Sequence, residues 1–439
     1  MTMLDAFDDA LVQSMRAEIA DELSLSVRRM ADAGQRLDSD DEEMLARQLI
    51  AQRLERLASD AIASGRPVLS QAEEEVVTRA VFDRLFHLGR LQPLLDDESI
   101  QNVVANGHDR VFIEYAGGLK VEGPPVAESN DELVEQLREI GRRYGLSERE
   151  FNPSRPQLNL QLPDGSRLFA VAWVCARPSV SIRRHRFMKL DLADLIGLGA
   201  IDEGLASFLA AAVRSRQQII VAGATGAGKT TMLRALAAEI PASERIVTIE
   251  TELELGLDRF ADVHPDCVAL EAREANVEGA GEVTAADLVR MSLRMNPDRV
   301  IVGEVRGDEI VPMLNAMSQG NDGSMCTVHA DSSVTVFNKM ALYAMQSPER
   351  LPLEATCQLA AAAVDLVVYI AKSSDGRWVS SVRQVVGVDG SNVVTNELFR
   401  PGPDGRAVPG VPVPHDLADV LAAHGWDPSM QDRPEGWWR

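Results

Sequence analysis

Residues 217–236 read QQIIVAGATGAGKTTMLRAL, and this stretch gives the clearest indication of the fold class. An apolar strand pattern leads into GATGAGKT, which matches the phosphate-binding pattern G-x-x-x-x-G-K-[ST], and a helix pattern follows. Glycines let backbone N–H groups converge on phosphate oxygens, and the start of a helix is favourable to an anion. The residues expected to contact a nucleotide are Gly223, Ala224, Thr225, Gly226, Ala227, Gly228, Lys229, Thr230 and Thr231.

Two side chains of this loop are expected to contact the nucleotide and its metal ion directly. We expect the ammonium group of Lys229 to reach the β- and γ-phosphates of a triphosphate, and the hydroxyl of Thr230 to ligate Mg²⁺. Lysine is scarce in this chain, with five among 44 basic residues, so a lysine inside a motif is informative. The pattern therefore predicts binding of ATP together with Mg²⁺.

Three later segments have the pattern of an apolar strand that ends in polar side chains. RVIVGEVRG contains Glu304 and Arg306, RIVTIETELEL contains Glu250 and Glu254, and TVHA contains His329. Ligands of open parallel sheets bind at the carboxyl ends of strands, so these side chains are candidates for one site. We expect Glu304 to hold the metal or polarise the attacking water. Either Glu250 or Glu254 could orient that water, and His329 could sense the γ-phosphate.

The pattern along the chain predicts four parts. Residues 1–75 read as acidic amphipathic helices, and residues 76–189 mix short strands with helices, as an α+β domain does. Residues 190–400 alternate helix and strand, which is typical of a parallel sheet in an α/β domain. Residues 401–439 are rich in Pro and Gly, which predicts a flexible tail.

Composition excludes several other classes of protein. Acidic residues outnumber basic ones 67 to 44, and a formal net charge of −23 disfavours duplex DNA as the main ligand. The four cysteines form no CxxC pair, so neither a zinc site nor a disulfide framework is indicated. No apolar run reaches the ~18 residues of a membrane span, and the start of the chain is acidic where a secretory signal is basic. These features predict a cytoplasmic protein.

The motifs occur in an order that resembles a known family. GATGAGKTTMLRAL, RIVTIETELEL, EGAGEVTAADLVRMSLRMNPDRVIVGEVRGDE and SQGNDGSMCTVHAD resemble the type II/IV secretion ATPases, and most of all the Tad/Flp pilus assembly branch of the CpaF type. The resemblance implies a RecA-like P-loop core with a smaller α+β N-terminal domain. It further implies a homo-hexameric ring, nucleotide held between the two domains, and partners in a pilus or secretion platform of the cytoplasmic membrane.

The same resemblance implies roles for individual residues. Residues 223–230 match the Walker A loop, Glu304 the Walker B acid and His329 the His-box histidine. Glu250 and Glu254 match the Asp-box acids. The arginines that fall in segments facing the nucleotide or a subunit boundary are Arg167, Arg183, Arg184, Arg273, Arg294 and Arg306.

Four positions depart from the family pattern. Thr251 stands in place of an acid, Asn296 of an arginine, Asn321 of a histidine and Asp331 of an asparagine. We expect these departures to affect turnover and contacts between subunits more than nucleotide binding. The favoured interpretation is an ATP-driven pilus assembly motor. The alternatives are a conjugation-type ATPase for export of DNA or protein, and a nucleotide-gated scaffold with little turnover.

Overall fold

The computed structural model describes residues 9–32, 37–115, 119–144, 151–184, 189–273, 275, 279–374 and 376–432. The start of the predicted acidic segment and the end of the predicted tail lie outside these residues. The chain divides into two compact units, Met1–Arg186 and Phe187–Arg439. Among the described residues, no helix combines the length and apolar character needed to cross a bilayer.

The first unit opens with three helices, α1 (Asp9–Asp32), α2 (Ser39–Ala63) and α3 (Gln71–Phe86). Both α2 and α3 begin at capping boxes, because the side chains of Asp38 and Ser70 accept the backbone N–H of the third helical residue. The apolar faces of the three helices pack into one cluster. The helices predicted from the apolar spacing are therefore present.

An antiparallel sheet and two further helices complete the first unit. Their bounds are α4 (Gln92–Asp96), β1 (Ile100–Asn106), β2 (Val111–Tyr115), β3 (Lys120–Gly123), α5 (Asn130–Tyr144), β4 (Gln157–Gln161), β5 (Arg167–Val171) and β6 (Ser179–Arg183). The strand order is β3-β2-β1-β6-β5-β4, with antiparallel neighbours throughout. Leu133, Leu137 and Ile140 of α5 share a core with alternate residues of the strands.

The second unit alternates helices and strands before it ends in a series of antiparallel strands. The bounds are α6 (Leu192–Gly197), α7 (Glu203–Arg214), β7 (Ile219–Gly223), α8 (Lys229–Ala237), β8 (Ile246–Glu250), β9 (Cys267–Glu271), α9 (Ala285–Ser292), β10 (Arg299–Val305), α10 (Ile310–Ser318), β11 (Met325–His329), α11 (Thr335–Gln346), α12 (Leu353–Ala363), β12 (Leu366–Ser373), β13 (Gly376–Asp389), β14 (Asn392–Pro401), β15 (Ala407–Pro409) and α13 (His415–Ala422). The strands predicted from apolar runs are all present.

One sheet organises the second unit. Its order is β15-β14-β13-β12-β7-β11-β10-β8-β9. Neighbouring strands in the part of the sheet that runs β12-β7-β11-β10-β8-β9 are parallel. Neighbouring strands in the part that runs β15-β14-β13-β12 are antiparallel. Every residue of β7 is buried, which explains its continuous apolar run, since a central parallel strand is covered on both faces. The carboxyl ends of β7, β8, β10 and β11 therefore meet at one edge.

The expectation of a flexible tail after residue 400 is wrong for the described residues. β15 adds to the edge of the sheet, and α13 follows it. Leu421 and Trp426 are buried, and the indole of Trp426 lies edge-on to Phe208, with ring centroids 5.6 Å apart. Pro and Gly form the turns between short elements, and the burial of these apolar side chains offsets the entropy lost on ordering them.

Candidate nucleotide-binding site

The loop of residues 223–230 joins the carboxyl end of β7 to the first turn of α8. Gly228 has a φ of +95°, in the left-handed region that glycine adopts without strain. At Gly223, an added Cβ would lie 2.7 Å from the carbonyl oxygen of Ile370, so only glycine fits against β12. Because α8 begins at Lys229, its first backbone N–H groups face the loop. The backbone thus has the form that the sequence pattern predicts.

The ammonium group of Lys229 is held inside this loop. The side chain is 7 % exposed, and Nζ donates to the carbonyl oxygens of Gly223 and Ala224, each at 3.2 Å. Burial lowers the pKa of Lys229, and the nearby carboxylate of Glu304 opposes that shift. The Lys229 amine therefore lies at the point where the strand, loop and helix meet.

A chain of side-chain contacts runs from Lys229 to the ends of β11 and β10. Nδ1 of His329 lies 3.2 Å from Nζ of Lys229, and Nε2 of His329 contacts Oε1 of Glu304. Nε of Arg306 donates to Oε2 of Glu304 at 2.5 Å. Burial and the Lys229 cation lower the pKa of His329, which favours the neutral ring. A neutral ring that accepts at Nδ1 and donates at Nε2 satisfies both contacts.

Glu250, at the end of β8, has a different environment. It is 4 % exposed, and its Oε2 accepts the backbone N–H groups of Glu254 and Leu255 at 2.8 and 2.9 Å. Its Oε1 is buried and has no hydrogen-bond partner among the described residues. Burial raises the pKa of Glu250 to about 7, against the effect of the two N–H donors. This carboxyl therefore holds the segment that follows β8 and is shielded from solvent.

Glu254 is fixed at the same place through its backbone. Its N–H donates to Glu250, and its carbonyl oxygen accepts a hydrogen bond from the guanidinium group of Arg234 in α8. The side chain is half-buried. Glu254 thus lies in a segment fastened to the helix that starts at Lys229, which keeps the segment close to the loop.

Two of the predicted arginines lie away from the Lys229 cluster. Arg294 is exposed and falls between the end of α9 and the start of β10. Glu304 stands near the other end of β10, so Arg294 lies at the opposite edge of the parallel sheet. Arg294 therefore lies away from Lys229 and Glu304 of its own chain, and its place at a nucleotide or a subunit boundary stays a prediction. Arg273 follows the edge strand β9, and its Nε donates to the carbonyl oxygen of Gly281 at 2.6 Å.

The three arginines predicted to face the nucleotide from the N-terminal side belong to the first unit. Arg167 and Arg183 are paired across β5 and β6. Arg184 donates hydrogen bonds to the carbonyl oxygens of Leu95 and Asp97, so its guanidinium group fastens the chain before β1. The approach of these arginines to a nucleotide stays a prediction.

Local structure explains two of the departures from the family pattern. Asn296 has a φ of +55°, in a region that asparagine adopts more readily than arginine. Asn321 donates through Nδ2 to the carbonyl oxygen of Pro297 at 2.9 Å, which ties together the two turns that precede β10 and β11. Thr251 is exposed directly after Glu250, and the backbone oxygen of Asp331 accepts from the hydroxyl of Tyr369 at 2.7 Å.

One buried carboxylate of the site was missed by sequence reasoning. Glu309 is 7 % exposed and accepts the backbone N–H groups of Arg306 and Gly307. It thereby holds the turn that follows Glu304. The only signal in the sequence is an acid three residues after Arg306, and this spacing is common in ordinary turns.

The sheet order and the glycine loop define the chain's second unit as a RecA-like α/β domain. Residues 87–373, more than half of the chain, match the type II/IV secretion system protein family. The chain therefore belongs to this family, as the motif order predicted.

Individual relatives agree with this assignment. A putative conjugal transfer protein of Mycobacterium tuberculosis is 37 % identical over 320 residues, which cover 71 % of this chain and 87 % of the relative. The type IV secretion system protein VirB11 of Brucella suis is 34 % identical over 342 residues, which cover 71 % of this chain and 92 % of VirB11. The crystal structure of the ATPase DotB of Legionella pneumophila has a TM-score of 0.50 at 17 % identity, covering 80 % of this chain and 86 % of DotB, and supports the fold alone.

Proposed function

We propose that this protein hydrolyses ATP to drive a pilus assembly or secretion machine at the cytoplasmic membrane. The observation that carries the proposal is the contact chain from Lys229 through His329 to Glu304. It joins a cation in a phosphate-binding loop to a carboxylate able to accept a proton. Transfer of a phosphoryl group to water uses both groups.

The residues of the site suit a nucleoside triphosphate and Mg²⁺. Backbone N–H groups of the glycine loop and the ammonium group of Lys229 complement phosphate oxygens. The hydroxyl of Thr230 and the carboxylate of Glu304 are hard oxygen donors, which Mg²⁺ prefers together with phosphate oxygens and water. The bound metal would neutralise part of the phosphate charge.

Each side chain of the cluster has a proposed task. Glu304 takes the proton of the attacking water, and Lys229 stabilises the negative charge that develops on the γ-phosphoryl group. His329 contacts both and holds the carboxylate in place, as Arg306 does from the other side. Glu254 remains a candidate to orient the water, whereas we propose Glu250 as a positioning residue because it is buried under backbone contacts.

We also propose that the protein works as a homo-hexamer whose domains close on the nucleotide and open after hydrolysis. Phosphoryl transfer spreads negative charge, and a guanidinium group brought in by a moving domain stabilises it. Repeated closing and opening would deliver a stroke to the membrane platform. The arginines proposed for the nucleotide or the subunit boundary are Arg167, Arg183, Arg184, Arg273, Arg294 and Arg306.

For the machine itself we propose a Tad/Flp-type pilus, in extension or retraction. The support is the resemblance of the ordered motifs, including the segments before the glycine loop, to that branch of the family. Genes for small pilins and two polytopic platform proteins beside the gene for this chain would strengthen the proposal.

A conjugation or type IV secretion machine is the second candidate. The relatives named above as a conjugal transfer protein and as VirB11 favour it, and both align over most of their own length. The same site would then supply energy for export of DNA or protein. Association with the membrane through platform proteins is proposed in either case.

Phosphate release from ATP by the purified protein tests the activity. We expect Mg²⁺-dependent release by the natural chain and none by Lys229→Ala. Lys120→Gln, which removes an exposed lysine of the first unit, is the control and should keep the natural rate. Unchanged turnover in Lys229→Ala would contradict the mechanism, and a natural chain that binds ATP without release would support the nucleotide-gated scaffold instead.

A further inference from the structure

A short loop, residues 330–334, leads from the end of β11 to the start of α11. His329 is the last residue of β11, and its ring contacts Nζ of Lys229 and the carboxylate of Glu304. The chain before His329 is fixed because β11 pairs with both β7 and β10. The position of the imidazole therefore also depends on what holds the loop that follows it.

Ser333 connects this loop to the antiparallel part of the sheet. Its side chain is buried, and its Oγ accepts a hydrogen bond from Nε of Arg383 at 2.8 Å. The same oxygen lies 2.9 Å from Oγ of Ser381, which is also buried. Both partners belong to β13, which begins after the end of the family match at residue 373.

The contacts continue to β14. Oγ of Ser381 donates to Oε1 of Glu397 at 2.8 Å, and Nη2 of Arg383 lies 3.0 Å from the same oxygen. A hydroxyl has one proton to donate, so Ser333 donates to Ser381 and accepts from Arg383. Two paths of hydrogen bonds thus join the guanidinium group of Arg383 to the carboxylate of Glu397, one of them through the two hydroxyls. We call these four side chains the Arg383 ring.

The Arg383 ring is attached to a well-packed part of the second unit. Arg383 and Glu397 face each other across β13 and β14, and their chain neighbours Val382 and Leu398 are fully buried. The side chains of Arg383 and Glu397 are 17 % and 29 % exposed, so water screens their interaction only in part. Removing one member leaves a shielded polar group without its partner, which is costly, and the ring therefore holds Ser333 in place.

A second contact holds the loop from β12. The hydroxyl of Tyr369 donates to the carbonyl oxygen of Asp331 at 2.7 Å. Tyr369 is paired with Ser381 across β12 and β13, so both contacts with the loop come from adjacent positions of the antiparallel strands. The loop is thus fastened to these strands at the second and the fourth residue after His329.

We infer that Arg383 is a positioning residue for the proposed phosphoryl transfer and acts through Ser333 on His329. Without the Arg383 ring the loop can shift, and the imidazole then no longer holds the carboxylate of Glu304. A displacement of about 1 Å among reacting groups can lower a rate by ~10²-fold. The inference rests on the proposed ATPase function and gives β13 and β14 a part in it.

Steady-state kinetics of ATP hydrolysis is the first test. Arg383→Met removes the donors of the ring, and we expect kcat to fall by about 10-fold or more, with KM and the affinity for Mg·ADP within about 2-fold because the glycine loop is unchanged. Ser333→Ala removes only the link to the loop, keeps the pair of Arg383 with Glu397, and should lower kcat in the same way. The matched control, Arg214→Met, breaks an ion pair with Glu239 at the end of α7 and should keep the natural kcat.

Modification by diethyl pyrocarbonate reports on His329 without the need for activity. The reagent acylates an imidazole nitrogen, and contacts of the ring with neighbouring side chains slow the reaction. We therefore expect His329 to react faster in Arg383→Met and in Ser333→Ala than in the natural chain and in Arg214→Met. Mass spectrometry of the peptide that contains His329 measures the rate.

The two measurements separate failure of the inference from failure of the proposed function. Natural reactivity of His329 in both ring variants would overturn the inference whatever the change in kcat, because the effect would then not act through the imidazole. Natural kcat in both variants would overturn it as well. A natural chain that releases no phosphate would contradict the proposed function, and the reactivity of His329 would still decide whether the Arg383 ring positions it.

Discussion

Two glutamates stand at the carboxyl ends of neighbouring parallel strands and have opposite surroundings. Glu304, on β10, contacts His329 and Arg306, and its side chain is 18 % exposed. Glu250, on β8, is covered and receives two backbone N–H groups. The guanidinium group of Arg306 donates to Glu304, whereas burial raises the pKa of Glu250 to about 7.

The difference shows how one residue type serves two purposes at one sheet edge. A carboxylate that is partly open to solvent can meet a water molecule, so Glu304 suits catalysis. A carboxyl that accepts backbone N–H groups fixes a turn, so Glu250 suits positioning of Glu254. Their strands are hydrogen-bonded neighbours, and the contrast therefore arises from side-chain contacts rather than from position in the sheet.

The largest effect should follow removal of the proton acceptor. Glu304→Gln keeps the shape of the side chain but cannot take a proton, and we expect kcat for ATP hydrolysis to fall by about 10²–10⁴-fold. Phosphate release at saturating Mg·ATP measures kcat, and titration with Mg·ADP measures separately any loss of binding, because Glu304 is also a proposed Mg²⁺ ligand. A Glu304→Gln protein that keeps nearly the natural rate would contradict separate roles for the two glutamates.

The buried glutamate should affect stability and its dependence on pH. A folded pKa of about 7, above the unfolded 4.5, means that the native state binds the proton more tightly. The contribution of Glu250 to the free energy of unfolding is therefore fully present below about pH 4.5. It is lost as the pH rises through 7, and the change amounts to roughly 3 kcal/mol.

Glu250→Gln removes this titration. Chemical denaturation at several pH values between 5 and 8 should show a flatter profile in the variant than in the natural chain, with the variant more stable at pH 8. Parallel profiles would mean that Glu250 is charged throughout and exposed to water.

A smaller effect should come from the contact between the two strands. An added Cβ at Gly303 would lie 2.9 Å from Cγ of Glu250, so Gly303→Ala should push the buried carboxyl from its place. We expect a loss of about 1–3 kcal/mol in the free energy of unfolding. The denaturation midpoint measures it, and an unchanged midpoint would show that Glu250 has room to move.

The smallest effect should be that of Arg294→Gln. Arg294 lies at the opposite edge of the sheet from Glu304 and Glu250. We therefore expect the affinity for Mg·ADP to stay within about 2-fold of the natural value in the same titration. A weakening of 10-fold or more would place this arginine at a nucleotide after all, on a neighbouring subunit.

Much of the fold was predictable because its signals are local. Each parallel strand of the core is a short apolar run, and the glycine loop needs particular residue types at fixed spacing. The tail after residue 400 could not be predicted in this way. Its order depends on contact between Trp426 and Phe208, which are far apart in the chain, whereas its Pro and Gly content is also found in flexible segments.

The amino-acid order alone gave Lys229, Glu304 and His329 as members of one site, because parallel strands bring their carboxyl ends to a common edge. It could not show that Glu250 is buried whereas Glu304 is partly exposed. It also could not show that Arg294 lies at the edge of the parallel sheet opposite to Glu304. It also gave no sign that the side chains of Lys372 and Arg377 lie beside Gly226 and Gly228 of the glycine loop. Burial and contact between distant segments exist only in the folded chain, and these set the pKa values and partners on which each role depends.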